Sequence, residues 1–246
     1  MKAAVHEAAF TVGVADAGPG RGARVSAVAD WLQNAAAAHA RELGFGSRQM
    51  REAGVAWVLA RLALRMDAYP PLGARVVVRT WPAALEGLRA MRDFHILDAA
   101  GAPLGAATSV WVALDVARRR AAPLPPFVTA CHPAQAERAL ELTGRALPAP
   151  GPGGPQCPIL TRLADLDENG HVNNVRLLEW ALEPVPAGPP RERPLLVDIA
   201  FRAECRHPET VTASCAPEGG GPALLHALTT AGGTELVRMR SLWPAG

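Results

Sequence analysis

An acid, an amide and an imidazole fall at alternate positions in one short polar run: Asp167, Asn169 and His171, with Gly170 between the last two. A carboxylate or an imidazole can take a proton from water, and a primary amide can hydrogen-bond to a polarised carbonyl. Directly after them the apolar residues Val172, Val175, Leu178 and Leu182 recur at helical spacing. The run therefore predicts a polar loop feeding a helix, with Asn173 and Asn174 as residues that suit its start. First-turn N–H groups, around Val172 and Asn173, would then favour an oxygen gaining negative charge. A solvated turn with a capping Asn and a surface His fits the same spacing, which alone is not specific.

The elements that must position this run can be read in order. Phe10–Val14 reads as a short strand, and Val25–Leu43 as a helix with Val28, Trp31, Leu32 and Ala35 on one face and Gly44 as its C-cap. Strand-like runs follow at Ala56–Met66, Ala74–Trp81, Met91–Leu97 and Leu104–Leu114, separated by turn signals at Tyr69-Pro70-Pro71, Glu86-Gly87 and Ala100-Gly101. Pro133–Leu142 suggests a short helix, and Leu147–Pro158 is a Pro/Gly-rich linker by composition. The order then repeats: a strand near Ile159–Ala164, the polar turn, a helix to about Leu182, and strands at Leu195–Ala203, Glu209–Cys215, Ala223–Thr229 and Glu235–Leu242. One helix plus an antiparallel meander, twice, is an α+β pattern.

The two halves also match residue by residue. Arg24-Val25-Ser26-Ala27-Val28 aligns with His171-Val172-Asn173-Asn174-Val175, and His95, Gly101 and Trp111 align with His226, Gly232 and Trp243. Internal duplication follows, with boundaries at 1–130, a linker at 131–157 and a second unit at 158–246. Where the second copy has His171, Asn173 and Asn174, the first has Arg24, Ser26 and Ala27. A site at the helix entrance can therefore belong only to the second copy.

Composition narrows the classes. With 49% hydrophobic and 20% charged residues the 246-residue chain is globular. Its net charge is +2, and apart from Lys2 every basic residue is an arginine, but no basic cluster interleaves with aromatics as nucleic-acid binding requires. Cys131, Cys157, Cys205 and Cys215 form no C-x-x-C pair; Cys205 and His207 lack a second ligand pair, so neither metal nor cofactor is expected. The N-terminus reads as no signal peptide, and the uncharged run Ala99–Leu114 is too short and too interrupted to span a bilayer. A cytoplasmic protein without membrane insertion is the expectation.

The run Asp167-Glu168-Asn169-Gly170-His171-Val172-Asn173-Asn174 resembles the D-x-N-x-H-V-N-N motif of the plant and bacterial acyl-acyl-carrier-protein thioesterases, where it opens a helix in the second of two tandem hotdog domains. Arg202-Ala203-Glu204-Cys205-Arg206-His207 resembles that family's R-R-E-C-Q-H strand. The first half agrees at Trp57, Tyr69-Pro70, Trp81, Arg92-Asp93-Phe94, Ala107–Val112 and Arg118–Arg120, so the resemblance covers most of the chain in order. Leu177 stands where plant members usually carry an aromatic residue, and a plastid transit peptide is absent, as for a bacterial version.

The resemblance implies a tandem hotdog: two long helices, each wrapped by a curved antiparallel sheet, with an acyl pocket lined largely by the first unit and catalysis in the second. It implies hydrolysis of fatty acyl-acyl-carrier-protein to free fatty acid. Glu204 would be the base, His171 and Asn169 would position water and polarise the carbonyl, Asp167 would orient Asn169 or bind nearby amides, and the Val172 and Asn173 amides would receive the oxyanion. Cys205 is the alternative, as a nucleophile beside His; in a regular strand Glu204 and Cys205 face opposite ways, so only one reaches the site. Arg176, Arg206, Arg118, Arg119 and Arg120, with Arg89 and Arg92, are candidate contacts for an acidic carrier protein. Rival readings are an acyl-coenzyme A thioesterase, a hotdog dehydratase and a non-catalytic acyl-binding regulator. Chain length, saturation preference and further pairing into a homodimer stay open.

Overall fold

The fold comes from a computed structural model, which describes residues 5–131, 137–142, 144, 146–186 and 193–244. Strand β1 (His6–Thr11) leads into helix α1 (Val25–Leu43), a short helix α2 (Ser47–Glu52), and strands β2 (Val55–Met66), β3 (Arg75–Glu86), β4 (Arg89–Asp98), β5 (Pro103–Asp115) and β6 (Arg120–Ala122). A one-turn helix α3 (Pro126–Thr129) precedes β7 (Gln156–Leu160), then helix α4 (Asn174–Leu182) and strands β8 (Leu196–Phe201), β9 (Thr210–Pro217), β10 (Ala223–Thr230) and β11 (Glu235–Leu242).

All the strands join one antiparallel sheet, ordered β1-β3-β4-β5-β2-β8-β11-β10-β9-β7, with β6 on β5. The order is symmetric about the β2–β8 seam, each strand of the first half except β6 having a counterpart at the matching place in the second. The duplication legible in the sequence is thus also a duplication of topology. At the seam Arg61, Ala63 and Arg65 oppose Ala200, Asp198 and Leu196.

Helix α1 lies across the first half because Val28, Trp31, Leu32, Ala35 and Ala36 form one buried stripe against the sheet. Gly44 ends it at φ +88, its N–H returning to the carbonyls of Ala40 and Arg41. Helix α4 is about half as long, nine residues against nineteen. Pro184 and Pro186 follow it, and proline cannot continue a helix. Asn173 caps its start, its side-chain oxygen accepting from the Val175 N–H at 2.9 Å. Both helices bury their apolar faces in one shared core that runs under the seam.

Several expected boundaries move, each for a local reason. The first strand is His6–Thr11 rather than Phe10–Val14: the Gly13 N–H is captured by the Asp16 carboxylate at 2.8 Å, which turns the chain. The strand expected at Ile159–Ala164 lies earlier, at Gln156–Leu160, and takes in the end of the Pro-rich linker. As the outermost strand it tolerates Pro158, since one N–H row faces no partner. Leu163–Asp165 forms a 3-10 turn closed by the Asp165 carboxylate on the Arg162 N–H at 2.8 Å. Of the helix expected at Pro133–Leu142, residues 133–136 lie outside the described residues and 137–142 are not helical. That segment is instead tied down by the buried Asp93, which accepts from Arg138 Nε at 2.9 Å and from the Ala139 N–H at 2.8 Å. Among the described residues no helix is long and apolar enough to cross a membrane.

Candidate active site

The polar loop before α4 is wound around one carboxylate. Asp167 Oδ1 accepts from the Asn169 N–H at 2.8 Å and the His171 N–H at 3.2 Å, and Asn169 Nδ2 lies 3.5 Å from Asp167 Oδ2. The Asp167 N–H in turn donates to the His171 carbonyl at 2.7 Å, while Gly170 sits at φ +74, a conformation that residues with a Cβ adopt with strain. Asp167 therefore binds the nearby amides of Asn169 and His171 and so fixes where both side chains leave the backbone.

Glu204 arrives from the other side. It lies just beyond β8, which ends at Phe201, so the strand expected to reach Ala203 stops two residues short and Glu204 is on a loop. Its Oε2 is 3.3 Å from His171 Nε2. The same Oε2 accepts from Arg119 Nη2 at 2.6 Å, so a side chain of the first half reaches across to the second. Arg119 holds a positive φ of 51 in the turn between β5 and β6, unusual for a residue other than glycine. Arg206 Nη2 lies 3.1 Å from His171 Nε2. One ring nitrogen cannot accept from Arg206 and donate to Glu204 at the same time. The Glu204 contact is the one that protonation of Nε2 turns into a charge-assisted hydrogen bond, whereas the exposed Arg206 is free to swing into solvent.

These groups open on a cleft of about 1380 Å³ whose lining includes Asp167, Asn169, His171 and Glu204, further polar side chains such as Gln33 and Arg41, and the apolar Ala36, Leu59 and Trp111. Beside it, a narrow apolar spur runs from Asn174 between α1 and α4 toward Phe94. A polar cleft with an apolar spur beside it suits a ligand with one reactive polar end and an apolar tail.

Two expectations need correction here. The Val172 N–H donates to the Cys205 carbonyl at 2.8 Å and the Asn173 N–H to the Asp165 carbonyl at 2.9 Å, so neither amide is available to an oxyanion. They instead bind the loop to its neighbours. The Asn174 N–H, the first of α4, has no acceptor among the described residues and lies at the cleft. Cys205 is turned away from the mouth and fully buried, its Sγ 3.5 Å from Glu209 Oε2. Burial first, and the hydrogen bond to Glu209 second, push its thiol up to about 12, leaving it protonated and unreactive at neutral pH.

The arginines divide as well. Arg176 pairs with Glu179 at 2.7 Å and Arg118 with Asp115 at 2.9 Å, while Arg120 is exposed on β6. Arg89 is exposed at the start of β4, but Arg92 is buried and cannot meet a docking partner. Sequence reasoning missed the bridge from Arg119 to Glu204; the only signal was three consecutive arginines after a strand.

Two helix-on-sheet units joined edge to edge, with an acid–imidazole pair at the entrance of α4, define a double-hotdog protein. Residues 3–131 match the acyl-ACP thioesterase N-terminal domain and residues 156–245 the acyl-ACP thioesterase C-terminal domain. The chain belongs to the acyl-ACP thioesterase family. Similar proteins include a palmitoyl-acyl carrier protein thioesterase of Arabidopsis thaliana, 29% identical over 95% of this chain and 62% of its own length. Another, of the same description, from Cuphea hookeriana, is 30% identical over 95% of this chain and 61% of its own length. The chain thus spans a little over three-fifths of these relatives. Among solved structures, an acyl-ACP thioesterase from Bacteroides thetaiotaomicron superposes with a TM-score of 0.86 at 23% identity, covering 97% of each chain. A 12:0-ACP thioesterase from Umbellularia californica does so with a TM-score of 0.86 at 24% identity, over 99% of this chain and 98% of its own. Both share this fold.

Proposed function

We propose that the chain hydrolyses fatty acyl thioesters carried on acyl carrier protein, releasing free fatty acid and the carrier thiol and so ending chain growth. The reading rests on the 3.3 Å approach of His171 Nε2 to Glu204 Oε2 on a cleft that has an apolar spur beside it. The acyl chain occupies the spur and the thioester carbonyl lies in the polar cleft. Glu204 takes a proton from a water that His171 helps to hold, and the hydroxide attacks the carbonyl carbon. Asn169 Nδ2 and the Asn174 N–H donate to the developing oxyanion, the role left vacant by the Val172 and Asn173 amides. Collapse of the tetrahedral intermediate breaks the C–S bond, and the proton held on Glu204 passes to the leaving sulfur.

The test is release of free fatty acid from matched carrier-protein and coenzyme A thioesters. Glu204→Gln and His171→Ala should each lower kcat by about a hundredfold to ten-thousandfold while acyl binding persists. Near-normal turnover in Glu204→Gln, or binding without hydrolysis by the wild type, defeats the proposal. Faster turnover of the coenzyme A thioesters would replace the carrier protein as substrate. If Arg118 and Arg120 meet an acidic carrier, the KM for carrier-protein substrates rises with salt, and replacing both by Ala flattens that dependence.

A further inference from the structure

Arg119 lies outside the half that holds the acid and the imidazole, yet its Nη2 donates to Glu204 Oε2 at 2.6 Å, the same oxygen that lies 3.3 Å from His171 Nε2. Its own turn does not need that side chain. The turn between β5 and β6 is closed through Asp115, whose carbonyl accepts from the Arg119 N–H at 2.8 Å. The Asp115 carboxylate accepts from the Arg118 N–H at 2.8 Å and from Arg118 Nη1 at 2.9 Å. Arg119 meanwhile holds φ +51, a conformation that glycine adopts at less cost. Nor does the ion pair offset that strain through stability: Arg119 is 62% and Glu204 34% exposed, and pairs this open to water contribute little. A strained residue on the cleft wall, whose side chain neither its turn nor the fold requires, is a candidate for function.

Glu204 sits on the loop past β8 and His171 on the loop before α4, so no regular element aims either side chain. The Val172 N–H on the Cys205 carbonyl holds the two loops together but leaves the Glu204 side-chain torsions free. A guanidinium and an imidazole on Oε2 fix those torsions, and Oε1, which receives no donor among the described residues, stays open to a water. We propose that Arg119 is a positioning residue for the hydrolysis. It holds Glu204 so that Oε1 takes the proton of the attacking water and later gives it to the leaving sulfur, while Oε2 stays on Arg119 and His171. The inference rests on the proposed thioesterase reading, and it makes the first half a contributor to the site as well as its scaffold.

The experiment measures turnover of carrier-protein thioesters and of acyl N-acetylcysteamine thioesters, which bring no carrier for an arginine to meet. On both, Arg119→Met should lower kcat by about tenfold to a hundredfold with KM changed by no more than about twofold, since aim and not binding is lost. Arg119→Lys, which keeps the charge without the planar fork, should recover part of the rate. Arg119→Gly should melt no lower than Arg119→Met, because glycine relaxes the turn, yet turn over as slowly. Guanidinium ions below unfolding concentrations should restore that variant's rate saturably, and sodium at equal ionic strength should not. A kcat near the wild-type value in folded Arg119→Met overturns the proposal. So does a loss confined to carrier-protein substrates, which would make Arg119 a docking residue. A nitrogen-15 spectrum of the histidine rings needs no turnover: Arg119→Met should move the His171 Nε2 signal, because the oxygen they share is released. If the wild type cleaves no thioester, the hydrolase reading falls; a moved His171 signal then still assigns Arg119 control of the pair, and an unmoved one overturns that as well.

Discussion

Glu204 and Cys205 are neighbours in the chain in opposite surroundings, and burial is what separates them. Glu204 is a third exposed, with His171 and Arg119 on its carboxylate, whereas Cys205 is sealed against Glu209. With the thiol pushed up to about 12 it carries almost no thiolate at pH 7. On the proposed reading Cys205→Ser should retain near-normal turnover, and thiol alkylation of the native protein should leave the rate unchanged; an acyl group trapped on Cys205 would reverse the assignment. Gly170 is a second residue-scale case. At φ +74, with open space where a Cβ would sit, Gly170→Val meets backbone strain rather than a clash. The strain should cost about 1–3 kcal/mol in chemical denaturation and lower kcat more than the fold, because the loop aims both Asn169 and His171. A third is His226, which donates from Nδ1 to the Ala181 carbonyl at 2.8 Å and accepts at Nε2 from Ser241 Oγ at 2.7 Å. Burial pulls it down to about 4, so the neutral ring belongs to the folded state. A folded value below the unfolded one means that stability is fully present above about pH 6.5 and is lost as pH falls toward 4. Thermal melts of the wild type should therefore decline across that window, and His226→Gln should flatten the decline.

At the scale of elements, sequence was a good guide where local pattern decides and a poor one where partners lie far along the chain. The α1 stripe and its Gly44 cap, β2, and the β10–β11 hairpin were legible because periodicity and turn residues carry them. The ends of β1 and β7 were not, since Asp16 and Asp165 close those turns through side chains that periodicity ignores. In the candidate site, residue types and spacing pointed to Asp167, Asn169 and His171, and family resemblance supplied Glu204. The occupied amides of Val172 and Asn173 were invisible, because their acceptors, Cys205 and Asp165, lie in segments that only folding brings alongside. The strap over the first half is the same kind of case. Asp93, with no exposed side-chain surface, holds Arg138, Ala139 and Thr108 at once. Asp93→Ala leaves Arg138 and the Ala139 N–H unanswered, Thr108 keeping the Leu140 carbonyl at 2.7 Å, and should cost about 3 kcal/mol, read by urea unfolding, with 137–142 becoming the first protease-sensitive segment.

For the whole molecule the decisive element is the β2–β8 seam, because the candidate site needs both halves in fixed register. Glu204 and His171 come from the second half, while Arg119, Arg92 and much of the cleft wall come from the first. Strand pairing alone fixes that register over only a short ladder, from Arg61 to Arg65. The ladder is pinned by a buried bidentate pair: Arg61 Nε reaches Asp198 Oδ1 at 2.7 Å and Nη2 reaches Oδ2 at 2.6 Å, and Nη1 donates to the Gly144 carbonyl at 2.8 Å. One guanidinium thus ties β2, β8 and the connecting segment together. A buried pair of this kind is a weak net source of stability, since desolvation offsets much of the attraction, but removing one partner strands the other. Asp198→Ala should therefore destabilise by about 3–5 kcal/mol, while the double change Arg61→Met with Asp198→Leu should recover most of that loss. If the pair also fixes register, the recovered double variant will still turn over more slowly than wild type, because Arg119 no longer meets Glu204 across the seam. Full recovery of both melting temperature and kcat would show that the strands hold register without it.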